Sequence, residues 1–99
     1  MRPASELSAA EVDQLLKELP GWRREGEALV KAYAFGGFRE AMSFMVRVGF
    51  EAEAAAHHPE IQNVYNRVVL RLNTHDAGNR ITERDVALAT AIERFNWAG

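Results

Sequence analysis

Apolar residues recur along this chain with two different periods. From Ala9 to Glu18 the helical repeat holds, with Val12, Leu15 and Leu16 on one face. Ser8-Ala9-Ala10-Glu11 ahead of them has the spacing of a capping box, in which hydroxyl and carboxylate each meet a free N–H. This predicts a first helix, stopped by Pro20-Gly21. Between Trp22 and Phe35 the period falls to two, clearest in Leu29, Lys31, Tyr33 and Phe35, and predicts two strands around a turn at Glu25-Gly26. After Gly36-Gly37 the helical period returns, from about Phe38 to Ala56. Phe38, Ala41, Met42, Met45, Val48, Gly49 and Ala52 form the predicted apolar stripe, and Glu40, Ser43, Arg47 and Glu51 the opposite side. Phe44, Val46 and Phe50 fall off that stripe. An apolar surplus of this kind predicts a partner surface, and hence a homo-oligomer.

Pro59 disfavours helical backbone at the residue before it, so His58 is predicted to be extended and His57 to occupy the last helical turn. Val68, Leu70 and Leu72 then alternate with Arg67, Val69 and Arg71 as a strand, and the polar run Asn63 to Asn66 bends or splits it. Asp76-Ala77-Gly78-Asn79 is loop by composition. Thr82-Glu83-Arg84-Asp85 resembles another helix start, before Leu88, Ile92 and Phe95 on one face. The order α-β-β-α-β-β-α predicts an α+β fold, an antiparallel sheet of three to four strands packed against helices. Ninety-nine residues suit a single domain over 1–99.

Composition narrows the function classes. The formal net charge is −2, with Lys and Arg scattered, so the basic stripe of a direct nucleic-acid binder is missing. The chain has no apolar run long enough for a membrane span and no signal-like apolar core near its start, which together predict a cytoplasmic protein. With no cysteine, a thiol nucleophile or a thiolate metal site is excluded.

The three histidines carry the candidate chemistry. His57 and His58 stand side by side at a helix end, and His75 follows the last apolar strand residue by three positions. Glu53 lies one helical turn before His57 and is expected to touch it. His57 also has a structural use, as a cation near a helix C-terminus. Asp85 occupies the capping-box position, and a carboxylate held there can also orient an imidazole. Adjacent histidines across a change of backbone direction diverge, which argues against a shared metal ion. Ser5, Ser8 and Ser43 lack a nucleophile pattern. Acid–base work by imidazole near neutral pH remains.

These residues resemble the pterin-4a-carbinolamine dehydratase family, which carries an acidic residue, three positions, His-His-Pro, five positions, Tyr or Trp, then His and Asp. Here the set reads Glu53, His57-His58-Pro59, Tyr65, His75 and Asp85. "LSAAEVDQLL", "GFREAMSFMVRV", "NVYNRV", "THDAG" and "TERDVALA" extend the resemblance over almost the whole chain. There are two departures: Ile61 stands where the family often has Trp, and "NRI" follows Gly78 where a further glycine is common. The resemblance implies dehydration of 4a-hydroxytetrahydropterin to quinonoid dihydropterin, recycling the pterin after aromatic amino-acid hydroxylation. It implies no cofactor, the pterin being the substrate, and no metal. His57, His58 and Pro59 would border the pterin on one side, and Thr74, His75, Asp76 and Ala77 on the other. His58 would be the principal acid–base residue, with His57 and His75 holding and polarising the substrate. Glu53 would orient His57, and Asp85 would tune His75 or Arg84. A homodimer or homotetramer follows from the same resemblance. Two other roles stay open, a protein-binding module of the transcriptional dimerisation-cofactor type and a pterin-handling step in molybdopterin metabolism.

Overall fold

The computed structural model describes residues 5–95. Helix α1 (Ala9–Leu16) starts on the predicted capping box: Ser8 accepts from the Glu11 N–H, and the Glu11 carboxylate accepts from the Ser8 N–H. That bond holds the Glu11 carboxyl below its usual range, the backbone N–H of Ser8 first and its hydroxyl second. The helix ends two residues before the expected Glu18, because successive short turns carry the chain through Leu19 to Trp22 and bury both side chains.

Strands β1 (Arg23–Glu25) and β2 (Ala28–Ala34) form a hairpin in which Glu25 pairs with Ala28. The turn is therefore Gly26-Glu27, one residue later than the predicted Glu25-Gly26. Helix α2 (Phe38–Ala54) follows, then β3 (Glu60–Val64) and β4 (Arg67–Leu72), a 3-10 turn (His75–Ala77) and helix α3 (Glu83–Arg94). Of the two expectations for the polar run Asn63 to Asn66, splitting holds: Asn63 and Val64 close β3, and Tyr65-Asn66 is a hairpin turn into β4. Asn63 Nδ2 donates to the carbonyls of Tyr65 and Arg67, and Tyr65 takes a left-handed φ of 50°. The four strands make one antiparallel sheet in the order β1-β2-β4-β3.

The alternation expected in β2 and β4 is observed. Leu29, Tyr33, Val68, Leu70 and Leu72 are buried on one sheet face, against α2 and α3. Lys31 shares that face, and its charge is met by Glu93 of α3 at 2.9 Å. Glu93 also accepts from Tyr33 Oη and Trp22 Nε1, so one carboxylate ties α3 to the first hairpin. Burial, and then the neighbouring Glu93 carboxylate, push the Tyr33 hydroxyl far above its ordinary range.

The helical phase of α2 differs from the expected stripe. Ala41, Phe44, Val48 and Ala52 face the core, with Met45 partly buried beside them. Among the described residues, Phe44 is the largest fully buried side chain, its ring centroid 4.6 Å from that of Tyr33 and 5.0 Å from that of Phe35. Phe38, Met42 and Gly49, placed on the core stripe by sequence, are exposed together with Val46 and Phe50. This helix is apolar over much of its circumference, so a wheel alone does not say which sector meets the sheet. Aromatic packing against Tyr33 and Phe35 selects the Phe44 sector. Among the described residues, no helix is long and apolar enough to cross a membrane.

Candidate active site

The site lies where the C-terminal end of α2, the end of β4 and the start of α3 meet. Its first wall depends on how α2 stops. Ala55 caps the helix, Ala56 turns left-handed at φ 52°, and the His57 N–H reaches back to the Ala52 carbonyl at 3.0 Å. With the Ala56 N–H on the Glu53 carbonyl, these are the two bonds of a Schellman ending, built on alanine rather than the usual glycine. The helix therefore ends at Ala54, before the expected Ala56, and His57 lies beyond its last turn.

That ending changes both predicted partnerships. Glu53 does not meet His57; its Oε1 lies 2.8 Å from Nε2 of His58, and both side chains are exposed. His57 is swung inward, 8% exposed, with Nε2 2.5 Å from Oδ1 of the fully buried Asp85. Asp85 thus serves His57, and not His75 or Arg84.

Asp85 keeps its predicted capping role as well. Its Oδ2 accepts from the Thr82 N–H at 2.9 Å and from Thr74 Oγ1 at 2.9 Å, and the two threonine hydroxyls are 2.6 Å apart. Thr74, Thr82 and Asp85 are all buried. No buried side-chain nitrogen or oxygen among the described residues is left without a partner, as expected where an unpaired polar atom would cost about 1–3 kcal/mol.

The second wall is the segment from Thr74 to Arg80. Thr74 and Arg80 form an isolated bridge, and the Ala77 and Asn79 N–H groups both return to the Thr74 carbonyl. His75 and Asp76 project exposed from this closed loop, and His75 Nδ1 lies 3.3 Å from Asn79 Oδ1. Asn79 takes φ 61°, directly after Gly78 at φ 72°. Asparagine tolerates that region better than most residues, so it can stand where a second glycine is common. Ile61, the other departure, pairs across the sheet with Leu70 and is partly exposed.

Between the walls is a cleft of about 250 Å³, lined by His57, His58 and His75 together with Ala56, Asn73, Thr74, Asp76 and Arg84. Its size is close to the lower end of the ~300–1,000 Å³ usual for small-molecule pockets. All three histidines of the chain therefore converge here. Glu53, Pro59, Ala77 and Asp85 do not line the cleft; Glu53 and Asp85 touch the histidines that do. Ala56, Asn73 and Arg84 are the lining residues that the predicted site left out. The signal for Arg84 was its position one residue before Asp85 in the first turn of α3. Among the described residues, no cluster of three histidine or acidic side chains converges as a metal-binding group would.

Set against known proteins, the chain matches the family model "Pterin 4 alpha carbinolamine dehydratase" over residues 5–95. It is 58% identical over 93 residues to an Opitutus terrae protein named "Putative pterin-4-alpha-carbinolamine dehydratase", covering 94% of this chain and 96% of that one. A Thermomicrobium roseum protein of the same name is 56% identical over 86 residues, covering 87% and 91%. A crystal structure titled as a transcriptional coactivator/pterin dehydratase from Brucella melitensis superposes with a TM-score of 0.86 at 35% identity, covering 95% of this chain and 99% of that one. A pterin dehydratase-like protein described as a RuBisCO assembly factor shares the fold at 23% identity, with a TM-score of 0.66.

The left-handed Ala56 supplies a stability test of this wall. An L side chain in that region costs roughly 1–2 kcal/mol, and glycine returns part of the gain as unfolded-state entropy, about 0.5–1 kcal/mol. Ala56→Gly should therefore raise the urea midpoint, by up to about 1 kcal/mol of stability. A lowered midpoint would show that α2 does not end in this way.

Proposed function

The chain belongs to the pterin 4 alpha carbinolamine dehydratase family, and on that footing we propose that it dehydrates 4a-hydroxytetrahydropterin to quinonoid dihydropterin, with His58 as the principal acid–base residue. One observation carries the reading. Three imidazoles share one cleft, and each has one ring nitrogen anchored by a protein side chain: His57 by Asp85, His58 by Glu53 and His75 by Asn79. The other nitrogen of each ring is left for substrate.

The reaction asks only for proton transfer. The C4a–O bond breaks as the departing hydroxyl takes a proton and leaves as water. The N5 proton goes to a base, and the electron pair of the N5–H bond forms the N5=C4a double bond. One proton is given and one taken, so the protein's net proton count is unchanged, and the proton passes back from base to acid through solvent before the next turnover. Imidazole suits both steps near neutral pH, each positioned group contributing about 10²–10⁴-fold. Protonated His58 is proposed to give its proton to the hydroxyl, steadied by Glu53. His57 and His75 would hold the pterin from opposite walls. Asp76 and Arg84 offer an acceptor and a fixed cation to its polar ring edge, while Thr74 and Ala77 shape the loop around it and Pro59 directs His58. Recycling of pterin after aromatic amino-acid hydroxylation, in the cytoplasm, is the setting this reading suggests. The process needs no cofactor and no metal.

The proposal includes self-association. Phe38, Met42, Val46 and Phe50 form an exposed apolar row along α2. Arg39 lies seven residues before Val46 and Glu53 seven after it. Two α2 helices packed antiparallel about Val46 would therefore set Arg39 of each copy against Glu53 of the other. Light scattering at micromolar concentration should return a dimer or tetramer mass, reduced to that of a monomer by Val46→Glu. A monomer mass for the unaltered protein would contradict the assembly.

Stopped-flow dehydration of freshly generated 4a-hydroxypterin, against the spontaneous rate, tests the activity itself. The protein should accelerate the reaction, and His58→Ala should lower kcat by about 10²–10⁴ while leaving the circular dichroism spectrum unchanged. Glu53→Ala should cost less than His58→Ala, and Glu51→Ala almost nothing. Full activity in His57→Ala, His58→Ala and His75→Ala alike would overturn the enzyme reading in favour of a protein-binding module.

A further inference from the structure

The hydroxyls of Thr74 and Thr82 lie in series beneath the cleft, and each has one proton to give. Thr74 Oγ1 donates to Asp85 Oδ2, so it cannot also donate to Thr82. The 2.6 Å contact between the two hydroxyls is then a bond from Thr82 to Thr74. Thr82 Oγ1 in turn accepts from the Arg84 N–H at 3.2 Å. The direction of every bond is fixed by this count. Asp85 receives Thr74 Oγ1 and the Thr82 N–H on Oδ2, leaving Oδ1 for His57.

His57 is tied at Nε2 alone. Its Nδ1 has no hydrogen-bond partner among the described residues, yet no buried nitrogen there lacks one. Nδ1 therefore reaches solvent, and the opening available to it is the cleft that the ring lines.

We infer that Thr74 and Thr82 are positioning residues, whose hydroxyls in series on Asp85 hold His57 as its Nε2–H tautomer and present an unprotonated Nδ1 to the cleft. With both donors gathered on Oδ2, Oδ1 is left as the acceptor facing the ring, so His57 supplies the proton of the short Nε2–Oδ1 bond. Resting on the dehydratase reading above, this makes His57 Nδ1 the atom that takes the N5 proton when the hydroxyl leaves from the His58 side. The sequence-based view of Thr74 as a substrate contact changes accordingly. Its hydroxyl is engaged by Asp85 and Thr82, so it acts on the substrate through His57.

Nitrogen NMR of ¹⁵N-histidine-labelled protein reads the tautomer directly, without substrate. At a pH where the ring is neutral, His57 should show a protonated Nε2 and an unprotonated Nδ1. Thr74→Val should mix the two tautomers and lower kcat about tenfold, with KM within about twofold, and Thr74→Ser should restore both. A protonated Nδ1 in the unaltered protein would overturn the inference, and that result needs no variant to fold. So would a folded Thr74→Val protein that keeps both its tautomer and its kcat. Since the spectrum is recorded without turnover, an inactive but correctly tautomeric protein would count against the dehydratase reading and not against this one.

Discussion

A single buried carboxylate decides how three parts of this chain meet. Asp85 is fully enclosed, and its two oxygens hold the start of α3 through Thr82, the end of β4 through Thr74 and the end of α2 through His57. A carboxylate placed away from water is tolerated where its acceptor positions are filled, and removing one partner of such a buried pair typically costs about 3–5 kcal/mol. The three segments are thereby held to one geometry, and the cleft is the space between them. His57 and its neighbour His58 then diverge for a physical reason. The first ring is drawn inward to Asp85, and the second is left outside with Glu53.

Features set by local chemistry were legible in the sequence. Both capping boxes, the alternation of β2 and β4 and the element order could be read from spacing, because each depends on residues close in the chain. The three histidines could be nominated for the same reason, two by the helix stop before Pro59 and one by the strand end. The spaced set from Glu53 to Asp85 also pointed to the family to which the chain belongs.

What escaped the sequence depended on backbone direction or on distant packing. Glu53 was paired with His57 on the premise that α2 continued to Ala56. The chain turns left-handed at Ala56, an alanine that carries no glycine signal, and Glu53 meets His58 instead. Phe44 was placed off the core because α2 is apolar on two sectors, and only the aromatic rings of β2 distinguish them. Arg84 and Asn73 enter the cleft from elements that no local pattern brings together. The fold itself does not fix a function, since solved structures that share it bear titles as different as coactivator, dehydratase and assembly factor. The case for proton chemistry rests on the three anchored rings.

If Asp85 is the hub, it should act on the reaction through His57 and through nothing else at the reacting atoms. A double-mutant cycle of Asp85→Asn and His57→Ala, followed by stopped-flow kcat, measures that dependence directly. The predicted result is a clear loss for each single variant and a double variant no slower than His57→Ala alone. Losses that simply multiply would show that Asp85 and His57 act independently, and would contradict this account of the site.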